Sequence, residues 1–380
     1  MTLKTNGPRF NPHLLNVPLY IGGKSIEEIK AQFGFEEVIK LASNESPIGP
    51  SPLAVEAARQ MLSEAHRYPG ITELALRRKL AARLGPGLDE GNIVIGNGGT
   101  DILRLITQAF VFEGGNTIMC RATFPMYHIF TTMFGGAPRP VDSRPDYRHN
   151  LAAIAAQIDD DTRLIYLCSP NNPTGDIITQ GEADEFLAGV PAHVVVIFDE
   201  SYADFVTDTA YPDTIAYVKE GRNVLVVRSF SKYAGLANLR VGYAIGRTEM
   251  ADYLQHTQSP FHTGAIALAA AAASLDDTAY HIRHREVVLA EQAYLYTALD
   301  ELGLKYLPSQ SNFITFIDPP LAPTTLAEQL LWQGIIVRPM AGFGLPNGIR
   351  VTVGSHVENM KFIEALRTIL VAQAVLEKAI

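Results

Sequence analysis

Cysteine is scarce in this chain: two occur in 380 residues, Cys120 and Cys168. Each lies beside an apolar, strand-like run. They read as small core residues and support neither a disulfide framework nor a zinc knuckle. The ten histidines show no metal-ligand spacing, so no metal is expected, and "HIRHRE" (His281 to Glu286) reads as a solvated helix face. Basic residues are outnumbered, 31 Lys and Arg against 40 Asp and Glu, for a formal charge of −9. That balance argues against general binding to nucleic acid or an anionic membrane, and leaves room only for local basic pockets. Long apolar runs are missing as well. "AIALAAAAA", from Ala265 to Ala273, falls far short of the ~20 residues that span a bilayer. The opening "MTLKTNGPRFNP" lacks the apolar core of a secretory signal, and the expectation is a cytoplasmic protein. What is present is 47% hydrophobic and 19% charged residue, a balance suited to a globular protein with a large core.

The length suggests two or three domains. Residues 1–45 are rich in Pro, Gly and Asn and read as an N-terminal arm. Across 46–285, short apolar runs alternate with helical patterns: "IVIG" from Ile93, "TIMC" from Thr117, "LIYLC" from Leu164, "VVVIFD" from Val194, "VLVV" from Val224 and "VGYAI" from Val241. Unbroken apolar runs of this length suit strands covered on both faces. Between them, Ile102, Leu105, Ile106 and Ala109 share one helical face. The fold class expected is α/β, a mainly parallel sheet sandwiched by helices. Residues 286–380 change to a helix-and-strand mixture, read as a smaller α+β domain that the arm joins. No internal repeat is evident.

Ligands of such sheets sit beyond the carboxyl ends of the strands. After "IVIG" comes "NGGTD", where Gly98 and Gly99 allow close backbone approach and Thr100 opens a helix. Free N–H groups there suit a phosphate, although a plain glycine turn accounts for the same letters. A nicotinamide fingerprint fails, because Asp101 stands where its third glycine belongs. After "LIYLC" comes "SPNNPTG", a turn whose asparagines can offer amides. After "VVVIF" comes Asp199, a helix cap or a functional carboxylate with equal ease. After "VLVV" come Ser229, Ser231, Lys232 and, further on, Arg240. Together these offer a phosphate cradle, an amide donor, a buried carboxylate and a lysine. Pyridoxal phosphate needs that set: phosphate anchoring, a donor to its ring hydroxyl, a carboxylate for its ring nitrogen and a lysine for its aldehyde. A nucleotide-binding oxidoreductase on a similar sheet would leave Lys232 and Asp199 without a role.

The chain resembles the fold-type I aminotransferases, the aspartate aminotransferase superfamily, and within them the histidinol-phosphate branch. The resemblance runs nearly the whole length, through "KSIEEIK", "LASNESPIGPSP", "RYPG", "SPNNPTG", "FDESYADF", "SFSKYAGLANLRVGYAIG", "GIIVRP" and "IRVTVG" in family order. It implies that Lys232 bonds the cofactor's aldehyde and that Asp199 partners the pyridine nitrogen. Asn172 and Tyr202 would contact the ring hydroxyl, and Phe124 would stack on the ring. Gly99, Thr100, Ser229, Ser231 and Arg240 would hold the phosphate. Tyr68 would reach the neighbouring subunit's phosphate, making a homodimer with shared active sites. Arg338 and Arg350 would bind the substrate's anionic end, with Tyr20 and Asn44 nearby. The implied reaction takes histidinol phosphate and 2-oxoglutarate to imidazole acetol phosphate and glutamate, a step of histidine biosynthesis. An aromatic amino-acid aminotransferase or a phospho-amino-acid decarboxylase of the same fold are the alternatives. "NGGTD", "RYPGITEL" and "SPFHTG" depart from the family pattern, the last two where substrate choice could differ.

Overall fold

In the computed structural model, residues 11–18, 22, 25–69, 73–112 and 114–378 are described. Seven strands form one sheet in the order Ile93–Gly96, Gly242–Ile245, Val224–Ser229, Val195–Asp199, Thr162–Cys168, Asn116–Cys120, Ala137–Val141. Gly242–Ile245 runs antiparallel to both of its neighbours and every other pair is parallel. Successive side chains of a strand leave by opposite faces, and the buried residues sort that way. Ile95, Val196, Phe198 and Val226 pack on one face with Ala54, Leu80 and Ala270. Val94, Val195, Ile197 and Val227 pack on the other with Ile102, Leu105 and Ile106. The architecture is therefore α/β with a mainly parallel sheet between helices.

Ala137–Val141 was not among the strand candidates. It carries Pro138 and Pro140, which remove ladder donors, and proline is tolerated at a sheet edge. An edge is where this strand sits.

A second sheet, of four antiparallel strands, runs Arg338–Pro339, Gly348–Thr352, Phe313–Ile317, Lys305–Leu307. Ile39–Lys40, from the arm, pairs in parallel with Ile335–Ile336. The helix Thr278–Glu301 runs without a break, so the boundary placed at 285/286 falls inside one continuous helix. Its later turns put Val288, Leu295 and Leu299 against Phe313, Ile349 and Phe362. Its first turns correct the reading of "HIRHRE" as solvated. His281 and His284 are buried, and His281 stacks on Tyr233 with ring centroids 4.7 Å apart. Ile282, Arg283 and Glu286 are the exposed residues of the segment.

Candidate active site

The ends of the central strands line up in register along one edge of the large sheet. Cys168 pairs with Asp199 and Asp199 with Val227; Ser229 pairs with Gly242, which also faces Gly96. A cavity of about 300 Å³ lies over this row, within the size range of small-molecule sites.

Lys232 lines the cavity from a loop that follows Val224–Ser229. Two backbone bonds close the base of that loop, Phe230 N to Val241 O at 3.1 Å and Leu236 N to Phe230 O at 3.1 Å. The Lys232 Nζ donates to the Ser43 carbonyl at 2.7 Å. Burial, and then the nearby Arg350 charge, lower its pKa to about 7. Asp199 ends its strand and is buried. Its Oδ1 accepts from the Ser201 N–H at 3.1 Å and the Ser201 hydroxyl at 2.6 Å, and its Oδ2 accepts from the Tyr127 hydroxyl at 2.7 Å. Burial raises its pKa while these donors pull it back down. A carboxylate held by three donors at a cavity wall can serve a cationic N–H.

The helix Gly99–Phe110 opens on the same cavity, with no side chain capping its first turn. Gly98 is left-handed (φ 86°), and a Cβ there would lie 2.3 Å from Arg240 Nη2. A Cβ on Gly242 would lie 2.4 Å from Gly99 N. The glycines thus let helix start, strand and guanidinium crowd together, leaving backbone donors and a cation at one point, as a phosphate requires. Thr100, Ser229 and Ser231 line the same end, and Arg240 Nη1 donates to Ser231 Oγ at 3.3 Å. Asp101 is engaged elsewhere, accepting from the Asn97 N–H at 2.9 Å and pairing with Arg104 at 2.9 Å.

At the other end, Asn172 Oδ1 accepts from Arg350 Nη1 at 2.5 Å, which leaves its NH₂ as the free-facing half of the amide. Arg350 Nη2 also donates to the Ala42 carbonyl at 2.7 Å. Asn171, the first asparagine of the turn, is structural: it bonds Thr123, Thr174 and the Ala122 carbonyl. Asn44, left-handed at φ 55°, donates from Nδ2 to the Tyr202 hydroxyl at 2.9 Å. Burial pushes that phenol up to about 12. Arg338 and Arg350 are opposite one another on adjacent strands, and both line the cavity with Phe124.

The family model for aminotransferases of class I and II matches residues 36–366. The chain belongs to this family. The aminotransferase is 42% identical over 364 residues to histidinol-phosphate aminotransferase of Moorella thermoacetica, covering 96% of this chain and 93% of that one. It is 40% identical over 357 residues to the enzyme of that name from Geobacillus thermodenitrificans, covering 94% and 97%. Among solved structures, histidinol-phosphate aminotransferase from Sinorhizobium meliloti in complex with pyridoxal-5'-phosphate superposes with a TM-score of 0.88. The identity is 25%, and the match covers 97% of this chain and 99% of that one. Aspartate aminotransferase from Thermus thermophilus with maleate shares the fold, with a TM-score of 0.82 at 21% identity over 94% and 99% of the two chains.

One described residue singled out in the sequence, Tyr68, is not in the aminotransferase's cavity wall. Tyr68 is 84% exposed and stacks on Phe261 at 4.8 Å. Tyr20 lies outside the described residues. Conversely, Ser43, Glu45, Ser201 and Phe343 line the cavity, and Tyr127 lies behind Asp199, without having been given a role. Ser201 had a signal, since an Asp side chain commonly accepts from the backbone N–H two residues on, which brings a hydroxyl there within reach of the same oxygen. Tyr127 had none, being 72 residues from the carboxylate it bonds. Among the described residues no group of three or more His, Cys, Asp or Glu could hold a metal ion, and no helix is long and apolar enough to cross a membrane.

Proposed function

We propose that this aminotransferase holds pyridoxal 5'-phosphate and moves the amino group of histidinol phosphate to 2-oxoglutarate, a step of histidine biosynthesis. The observation that carries the reading is the pair of opposed arginines, Arg338 and Arg350, in the wall of a cavity that also holds Lys232, Asp199 and Arg240. When bound, the cofactor supplies an aldehyde for an amine and a ring that accepts electrons freed from a substrate bond. Lys232, its pKa lowered to about 7, would bond that aldehyde and would move the proton at the carbon bearing the amine. Asp199 keeps the ring nitrogen protonated, and Ser201 and Tyr127 hold its two oxygens in place. Asn172 donates its NH₂ to the ring hydroxyl while its oxygen stays on Arg350, which ties cofactor and substrate sites together. Tyr202, accepting from Asn44, keeps its own proton to donate to the same hydroxyl. Gly99, Thr100, Ser229, Ser231 and Arg240 hold the cofactor phosphate, and Phe124 covers the ring. Arg338 and Arg350, with Tyr20 and Asn44 nearby, grip the donor's phosphate, which offers more acceptor oxygens than one guanidinium fork fills.

The proposal extends to the assembly: a cytoplasmic homodimer in which Tyr68 completes the partner's phosphate site. Residues 1–45 serve as an arm to the small unit, 286–380, and 46–285 form the large one. One observation favours a second reading, an aromatic donor. An apolar cavity of about 450 Å³, with Met119, Pro125 and Ile129 in its wall, adjoins the first and shares Phe124, Arg338 and Phe343 with it. A panel of amino donors with 2-oxoglutarate as acceptor decides between them. Histidinol phosphate should give the highest kcat/KM, and a preference for phenylalanine or tyrosine would make this an aromatic aminotransferase.

A further inference from the structure

Arg338 and Arg350 are direct cross-strand partners, and like charges so placed repel one another. The two side chains share an aromatic neighbour. The Phe343 ring centroid lies 5.8 Å from the Arg338 guanidinium carbon and 5.4 Å from that of Arg350. Phe313 adds a contact to Arg350 alone, at 5.2 Å. An aromatic ring attracts a cation within about 6 Å of its centroid, so one ring offsets part of the repulsion between two charges.

The Phe343 ring is fixed from both sheets. It is 4% exposed and packs with Ala122, Leu307, Ile317, Met340 and Leu345. The short turn Ala341–Phe343 ends at Gly344, left-handed at φ 77°. A Cβ on Gly344 would lie 2.2 Å from the Arg121 carbonyl oxygen. Only a glycine lets the turn sit this close to the segment that leads into Phe124.

We propose that Phe343 is a positioning residue of the anion site. Its ring holds both guanidiniums side by side, so that a dianionic phosphate ester meets two forks already in place. The inference rests on the reading of Arg338 and Arg350 as the grip on a phosphorylated donor. Its effect is selective: a carboxylate fills one fork and depends less on the second, whereas a phosphate gains from having both pre-organised.

The test uses holoenzyme and 3-(imidazol-4-yl)propyl phosphate, a dianion that lacks the amine and does not react. Phe343→Leu keeps an apolar side chain without a ring face, and Phe343→Tyr keeps the face. By calorimetry, the Leu variant should bind the probe about tenfold more weakly and the Tyr variant within about twofold of the parent. The KM for histidinol phosphate should rise by the same factor in the Leu variant, with kcat changed less than about twofold and the KM for glutamate moved less. Phe343→Met gives the same reading if the Leu variant does not fold. A Leu or Met variant that binds the probe like the parent overturns the inference, and so does a Tyr variant as weak as Leu. If the parent binds the probe no better than the matching unphosphorylated alcohol, the donor reading falls and takes this inference with it. A parent that prefers the phosphate beside an unaffected Leu variant removes the inference alone.

Discussion

An amine that reacts with an aldehyde needs its lone pair free at working pH, and an ordinary lysine, near 10.5, keeps that pair protonated. Lys232 is lowered to about 7 by burial first and by the Arg350 charge second, with Glu45 opposing. The rate at which apoenzyme takes up pyridoxal phosphate, followed by visible absorbance, should therefore rise through about pH 7 and level off above it. A rate still climbing with an apparent pKa near 10 would show that the amine behaves as a solvated one. Stability carries the same signature with a definite sign. The folded pKa lies below the unfolded one, so between about 7 and 10.5 the unfolded chain binds more protons. Through this group the apoenzyme gains stability as pH rises across that window, and the full penalty remains below it. Lys232→Met should remove the slope, so its urea midpoint should exceed the parent's most at pH 7 and least near pH 10.

At the scale of elements, the site is a row of strand ends, a helix start and the glycines that let them touch. A Cβ on Gly242 would meet Gly99 N at 2.4 Å and Gly98 C at 2.5 Å, both backbone atoms that move only with the helix. Gly242→Ala should therefore shift the helix start, weakening cofactor binding at least tenfold and costing about 1–3 kcal/mol in stability, as overpacking does. Gly181→Ala, on the helix Gln180–Ala188 where nothing lies within 4 Å, is the control and should be neutral or slightly stabilising. A fluorescence titration with pyridoxal phosphate that finds Gly242→Ala equal to the parent would show that the helix start yields freely. The same elements explain what could be read in advance. The central strands were legible because both faces are covered, which demands unbroken apolar runs. Asp199 was legible because a charge directly after such a run is out of place unless a partner waits for it, and Lys232 because it follows the two serines beyond the next run. Ala137–Val141 was hidden by its prolines, which an edge tolerates and a pattern does not announce. His281 and His284 were misread because adjacent arginines mark a wet helix, while the buried side is set by Tyr233, 48 residues away from His281 in the chain. Tyr127 was invisible for the same reason: only folding brings it to Asp199.

At the scale of the whole molecule, four large apolar side chains on or next to one packed helix pair are exposed. Leu53, Leu62, Tyr68 and Phe261 are exposed by 47%, 58%, 84% and 38%, around the helices Pro52–Met61 and Ala265–Ser274, which pack on each other. Large exposed apolar groups close together mark an interface more often than isolated ones do. Tyr68 rests on Phe261, away from its own chain's cavity, and this placement suits a ring that serves a second copy. If Tyr68 completes the partner's phosphate site, a mixed dimer of one Lys232→Ala subunit and one Tyr68→Ala subunit has a definite composition. One site then carries both lesions and the other carries neither. Each homodimer should be inactive or weak, whereas the purified heterodimer should recover about half of the parental kcat per dimer. If each site instead used its own Tyr68, every site of the mixed dimer would carry one lesion. Its activity would then equal the mean of the two homodimers. The comparison needs tagged subunits and verified heterodimers, because exchange back to homodimers would mimic the second outcome. Activity well above that mean supports a shared site, and activity at the mean means that Tyr68 serves only its own chain.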